Sequence, residues 1–539
     1  MKIKEAESGK KGKRIVDILM KAMNWVTIIY TFMMLVVFPL YIRNGYSKIG
    51  TSKYQFFRVI SMICFGVLIL LGVCYLFATI KEGTLVKRCR SYSLLDILVL
   101  LYGVCVIVSF AFSEYKDVAL FGTKGWYMGM YSQLIFVLTY FFLSRFWEKG
   151  KWILYLHFFV SGMVFLIGIL NRFMIDPLGV YRDLPKEYII QFLSTFGQAT
   201  WYSSYICTVF PIGIFLFVAG RSGVLRIWSG IYCAIGFAAV VTQNSDSAFI
   251  SVAAILLVLF WFAFEDNRNM KQMLELLLIM FASFALIGIL QNAFSERAVL
   301  LEQLSMTLSK GIITKVALAV CLVLYVVFVC LIRQRDFDVR KFSVIRKIVL
   351  VVVATIVLLV VLLIYLNTTG ALQAWFGFRS NHNYLLFDKN WGNGRGFTWS
   401  FSIDVIREMP ILKKLVGVGP DCFASYCYSI PEYVRRLDAK WGENLTLTNA
   451  HNEFLNTMIC LGLFGLLSYA SMLVAAVKRF LAERKTNILC AAMGLGVLSY
   501  MAHNLFCYQQ ACGTPILFIV MGIGEAILRK EKDKNKTAS

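Results

Sequence analysis

Apolar runs of about 18–22 residues recur along nearly the whole chain, and each can cross ~30 Å of hydrocarbon as a helix. Lipid offers no partner to backbone N–H and C=O groups, so an open chain must cross it in helical form. The runs centre on 24–42, 59–79, 94–112, 131–147, 152–171, 201–220, 227–243, 247–264, 273–291, 312–332, 347–366, 452–477, 488–505 and 513–528. They predict an all-α polytopic membrane protein of about fourteen transmembrane helices. A hydrophobic share of 59 % and a charged share of only 16 % exclude an ordinary soluble domain.

The formal net charge is +23, and its placement decides what it means. With the N-terminus inside, the segments 1–14, 80–93, 145–151, 221–226, 265–272, 333–347, 478–485 and 529–539 face the cytoplasm. These carry about 32 of the 54 Lys and Arg residues, at more than three times the density of the opposite segments. Slipping one span would erase that bias, so an even number of spans with both termini cytoplasmic is expected. No long basic soluble domain remains to bind nucleic acid. The clusters Arg333–Lys347 and Arg529–Lys536 read as topology signals that also touch anionic headgroups. No small-residue cleavage site follows the basic start, which is read as a retained tail.

The expected organisation is a basic tail (1–14), spans 1–11 (15–366), a large extracytoplasmic loop (367–451), spans 12–14 (452–528) and a second basic tail (529–539). The join at Gln243–Ser247 is either a tight turn or a break within one bent segment. Fourteen cysteines lie mostly inside apolar runs, where a thiol packs as a small hydrophobe, and no C-x-x-C occurs. Cys422, Cys427, Cys507 and Cys512 fall on the outer side and are expected to be free thiols.

Two outer segments are long, Arg172–Thr200 and the loop before span 12. Within that loop, Ile403–Leu415 has helical spacing, and Gly417-Val418-Gly419-Pro420 reads as a turn, with Gly417 and Gly419 free to take positive φ. His451 and Asn452 follow where the chain re-enters the membrane. A polar pair at that depth meets a lipid-linked group and an aqueous one together.

The ordered set of Arg395–Trp399, the Gly-x-Gly-Pro turn, Ala450-His451-Asn452 and the Gly462-x-x-Gly465 helix resembles the signature half of the O-antigen ligase and Wzy-type polymerase superfamily. Leu120–Gly129, Gly197-Gln198 and Thr242–Ala248 are similar to its upstream parts. The resemblance implies a membrane glycosyltransferase of the GT-C type that makes bacterial surface polysaccharide. It would move or polymerise a glycan from an undecaprenyl pyrophosphate carrier onto an acceptor hydroxyl, outside the plasma membrane. It implies no nucleotide sugar, cofactor or metal. The acceptor is another glycan, a lipid or a wall anchor.

Arg395 is the first candidate to neutralise the pyrophosphate leaving group, since a guanidinium pairs with phosphate bidentately. His451 is the candidate base for the acceptor hydroxyl. Asn452 would orient that imidazole or a sugar hydroxyl, and Trp399 lies in the same motif. Ser245-Asp246 stands where many members carry Ser-Arg, so a second cationic contact must come from elsewhere: Arg172, Arg182, Lys186 or Arg379. Asp246 is a candidate for binding acceptor or steadying Arg395, against a plain capping role. His503 repeats the Ala-His-Asn triplet and is a candidate to line the same cavity. His157 reads as a satisfied buried histidine and His382 as an exposed one. Glu114 and Asp117 have no spacing that suggests a metal. The competing class is a lipid-linked-oligosaccharide flippase, which needs charged residues within several spans; this chain has few.

Overall fold

A computed structural model describes residues 2–43, 45–82, 92–182, 184–221, 223–334 and 337–538; side chains of 2–14, Lys186 and 532–538 are outside the description. Each of the fourteen apolar runs forms a helix: α1 (Lys2–Phe32), α2 (Ile49–Lys81), α3 (Leu94–Phe112), α4 (Met130–Phe146), α5 (Lys151–Arg172), α6 (Ala199–Ala219), α7 (Gly223–Thr242), α8 (Ser247–Ala263), α9 (Asn267–Ala293), α10 (Ile312–Ile332), α11 (Val344–Thr369), α12 (Glu453–Leu481), α13 (Ile488–His503) and α14 (Thr514–Ala538). Among the described residues, ten helices are long and apolar enough to cross a membrane, while α8 and α13 are shorter apolar helices. The linker segments predicted at 80–93 and 333–347 fall partly outside the described residues.

The outward faces require lipid. Val351, Leu358 and Val361 of α11 and Val323 of α10 are each about 60 % exposed, within long stretches of similar residues. A soluble surface rarely carries an apolar patch of that extent. The chain is therefore an all-α polytopic membrane protein. At the centre α6 is buried along nearly its whole length, from Tyr202 to Val218. Small residues bring its neighbours close, as at Gly496 of α13, where an added Cβ would stand 2.7 Å from the Thr208 carbonyl.

The α7–α8 join is a tight turn between two separate helices, with Asn244 at φ 65°. The α1 run ends in a π-helical turn (Met33–Val37) and a short helix through Pro39, which leaves carbonyls without helical partners. Lys53 of α2, fully buried, donates to the carbonyls of Phe38 (2.8 Å) and Tyr41 (3.0 Å).

Charged residues gather where one set of helix ends meets. Asp96 at the start of α3 pairs with Arg145 at the end of α4 (3.2 Å) and with Arg529 of α14. Arg479 of α12 holds Glu525 of α14 at 2.7 Å, and Arg484 holds Glu265. The ends predicted to face the cytoplasm are thus mutually neighbouring.

The opposite ends carry two folded connections. Between α5 and α6, β1 (Phe192–Leu193) pairs antiparallel with β2 (Gly197–Gln198), a ribbon that periodicity did not suggest. Between α11 and α12 lie helices Ala371–Phe376, Trp391–Glu408, Ile411–Val416, Phe423–Cys427 and Pro431–Trp441. The single helix expected over Ile403–Leu415 is corrected to two. Pro410 has no N–H and drives Met409 into an extended conformation (ψ 141°), which ends the first helix.

Candidate active site at the mouth of α12

The Gly417–Asp421 turn is built against a break in α12. Gly462 adopts φ 70° inside that helix and interrupts its hydrogen bonds. The carbonyls of Ile459 and Cys460 accept instead from the N–H groups of Val418 and Gly419, both at 3.0 Å. The backbones touch so closely that a Cβ on Gly417 would lie 2.1 Å from the Cys460 oxygen. Ser109 and Ser113 of α3 donate to the carbonyls of Cys460 and Val418 and pin the junction from the other side.

Asp421 continues the turn at φ 60° and is buried. Its carboxylate accepts from the N–H of Thr123 (2.7 Å) and of Met128 (3.1 Å), and so holds the Leu120–Gly129 loop beneath the turn. Burial outweighs these bonds and pushes its pKa up to about 7. Asp421 and Glu453 share the wall of a small enclosed polar cavity with Asn449, Asn456 and Tyr508.

His451 is fixed in the left-handed region at φ 49°, a conformation uncommon for a non-glycine residue and here held from several directions. Its N–H donates to the Asn449 side chain at 3.0 Å, and its carbonyl accepts from Trp399 Nε1 at 3.4 Å. The next residue, Asn452, caps α12 by accepting from Phe454 and Leu455 N–H, while its Nδ2 donates to the Leu505 carbonyl. The imidazole stands edge to face with Tyr508 at 5.2 Å. Trp126 packs on Tyr508 and Trp201 on Trp126, which carries the aromatic wall back to α6.

Arg395 follows three positive-φ residues, Gly392, Asn393 and Gly394. That bend turns its side chain onto the α13–α14 connection, where Nε donates to the Phe506 carbonyl (3.1 Å) and Nη1 to Gly392 (2.9 Å). Trp399 packs between Phe506 and Trp391 in tilted contacts, with ring centres 5.3 and 5.4 Å away. Burial first, and then the Arg395 charge, push the His451 pKa down to about 4. The imidazole is therefore neutral at physiological pH and lies within the field of the guanidinium.

A second group adjoins Arg395 and includes a residue that sequence reasoning passed over. Asn393 donates to Glu302 Oε1 (3.3 Å), and Glu302 N–H donates to Asn244 (2.6 Å). Burial and the neighbouring Asp246 raise the Glu302 pKa, against the pull of Arg395 and Arg172. Asp246 makes no side-chain cap; its carboxylate accepts from Tyr384 Oη, 138 residues away.

The structure thus brings Arg395, His451, Trp399 and Asn452 together, with Asp246 beside them. His503 is fully buried at the end of α13, and its ring nitrogens have no hydrogen-bond partner among the described residues. Arg172 is turned inward, its guanidinium spent on the carbonyls of Thr242, Ile190 and Gln243. Arg182 and Arg379 are exposed and make no hydrogen bond or ion pair to the His451–Arg395 group among the described residues. The Lys186 side chain lies outside the described residues. Asp421 and Glu453 were legible only as acids next to a turn and a histidine; Glu302 and Tyr384 carried no local signal. His157 is buried with Nδ1 on the Leu35 carbonyl, His382 is exposed, and Cys422, Cys427, Cys507 and Cys512 are free.

A search of curated proteins finds no match. The model of the O-antigen ligase family matches residues 304–470, a stretch that contains Arg395, the Gly417–Asp421 turn, His451 and Asn452. That match, confined to residues 304–470, supports the O-antigen ligase/polymerase superfamily for this chain.

Proposed function

We propose that this protein is a glycosyltransferase of surface-polysaccharide assembly. It moves a glycan from undecaprenyl pyrophosphate to an acceptor hydroxyl on the outer face of a bacterial plasma membrane. The observation that carries the reading is the pairing of a held guanidinium, Arg395, with a neutral imidazole, His451, inside the family-matched segment. In the same reading all fourteen helices cross the bilayer, both termini are cytoplasmic, and 367–451 is the outer loop of a GT-C-type fold.

The chemistry divides between the two residues. The acceptor oxygen forms a bond to the anomeric carbon as that carbon's bond to the pyrophosphate oxygen breaks. The departing lipid pyrophosphate takes the electron pair, and Arg395 stabilises its charge. The hydroxyl proton passes to His451. Burial is the larger cause of the lowered His451 pKa; a bound pyrophosphate would offset the smaller share that comes from Arg395. Support for a lipid-linked donor comes from an apolar groove of about 420 Å³ between α3 and α12, lined by Leu101, Val104, Leu461 and Phe464. It reaches Val416, beside the Gly417 turn. A polyprenyl tail fits that surface, whereas a flippase would need charge distributed through its spans.

Purified full-length protein given undecaprenyl-pyrophosphate glycan and acceptor should transfer glycan. Arg395→Ala and His451→Ala should each lower the rate by roughly 100-fold or more, with unchanged expression. Wild-type rates in both variants would overturn the assignment. Offering lipid-linked glycan, lipid and wall acceptors in turn separates polymerase from ligase.

A further inference from the structure

A cavity of about 530 Å³ lies on the outer connection, beside the Gly392–Gly394 bend. Its size falls within the ~300–1,000 Å³ typical of sites for small ligands. Four asparagines, Asn381, Asn383, Asn390 and Asn393, contribute to its wall together with Lys440 and Trp441. Each amide brings two donors and an acceptor to the opening.

The charged groups at this opening are hydrogen-bonded to neutral partners. Lys440 Nζ donates to Asn390 Oδ1 at 2.6 Å, and Asp388 accepts from the Asn390 N–H at 2.8 Å. Among the described residues, no arginine lines the cavity. A phosphate would find one ammonium, Lys440, beside the Asp388 carboxylate. A sugar ring fits better, since each hydroxyl both donates and accepts, as a planar amide does. Trp441 closes one wall, with Lys440 Nζ over its ring at 5.5 Å from the centre and its Nε1 buried without a partner among the described residues. The ring is held in place by packing on Gly394, where a Cβ would come within 2.5 Å, and edge to face on Phe397. Asp388 also borders a second cavity of about 740 Å³ along the Trp391–Glu408 and Pro431–Trp441 helices, so the surface extends beyond one ring.

We infer that this asparagine-lined cavity is a carbohydrate-binding subsite that holds the acceptor glycan next to the reacting centre. The inference rests on the transferase reading above, because Asn393 joins the two: its side chain reaches Glu302, and Arg395 follows two residues later. The site orients hydroxyls and does not itself touch the leaving group.

The test uses full-length protein in detergent and oligosaccharide fragments cut by partial acid hydrolysis from the surface polysaccharide of the cells that make it. Saturation-transfer NMR and calorimetry should show fragments bound by wild type and by Arg395→Ala alike. Asn383→Ala/Asn390→Ala, which alters exposed side chains, should weaken binding at least ten-fold with no change in thermal midpoint. In the transfer assay the double variant should raise the acceptor KM and leave the donor KM unchanged. Absence of fragment binding to wild type, or equal binding by the double variant, overturns the subsite and leaves the Arg395–His451 chemistry standing. Normal transfer by Arg395→Ala and His451→Ala overturns the chemistry whether or not fragments bind.

Discussion

At the residue scale, two titratable groups near the turn have been moved in opposite directions by the same burial. His451 falls from 6.5 to about 4, so the fold favours its neutral form. Stability linked to it is full above about pH 6.5 and is lost as pH falls through 4. Asp421 rises from 3.8 to about 7, so its contribution is full below about pH 3.8 and is lost as pH rises through 7. Asp421→Asn keeps an acceptor for the Thr123 and Met128 N–H groups and removes the titration. Its thermal midpoint should hardly change between pH 4 and 8 from this source, whereas wild type should lose on the order of a few kcal/mol over that range. Asp421→Ala leaves two buried N–H groups unpaired and should cost about 2 kcal/mol or more at any pH, read by thermal unfolding in detergent. Of these residues, His451 was legible because its triplet stands at a span boundary. Glu302 and Tyr384 were not, because their meaning depends on contacts with Asn393 and Asp246 that lie 91 and 138 residues apart in sequence.

At the scale of elements, apolar length made every long helix legible, but the interruptions that shape the site were not. Gly462 reads as an ordinary small residue in a membrane helix; only the facing Gly417–Gly419 backbone shows that it breaks α12 and frees two carbonyls. The split at Pro410 follows from proline chemistry and was available to a closer reading of Met409-Pro410. Gly462→Ala must accept φ 70° and meet the Leu415 carbonyl at 2.4 Å. It should destabilise the protein by about 2 kcal/mol or more and abolish transfer, because the turn carrying Asp421 loses its seat. Lys53→Met should likewise lower the thermal midpoint, since it strips a cap from the carbonyls at the end of α1 while keeping the aliphatic volume.

At the scale of the whole molecule, the charge bias along the sequence and the contacts in three dimensions agree on which helix ends belong together. Asp96, Arg145, Arg479, Glu525 and Arg529 meet at one end, and Arg395, His451, Asp246 and Asp421 at the other. The sequence could assign sides through Lys and Arg density, but it could not show which of the distant motifs share a wall. An epitope inserted after Gly377 should bind antibody on intact cells, and one at the C-terminus only after permeabilisation. The reverse pattern would refute the proposed orientation.

The division of labour between guanidinium and imidazole is tested most directly by separating donor binding from transfer. Binding of undecaprenyl pyrophosphate to the purified protein should weaken about ten- to hundred-fold in Arg395→Ala, the loss expected of one charge-assisted pair. His451→Ala should bind it as wild type does, yet transfer no glycan in a single turnover. Undiminished donor binding by Arg395→Ala, or a wild-type single-turnover rate in His451→Ala, would contradict the account.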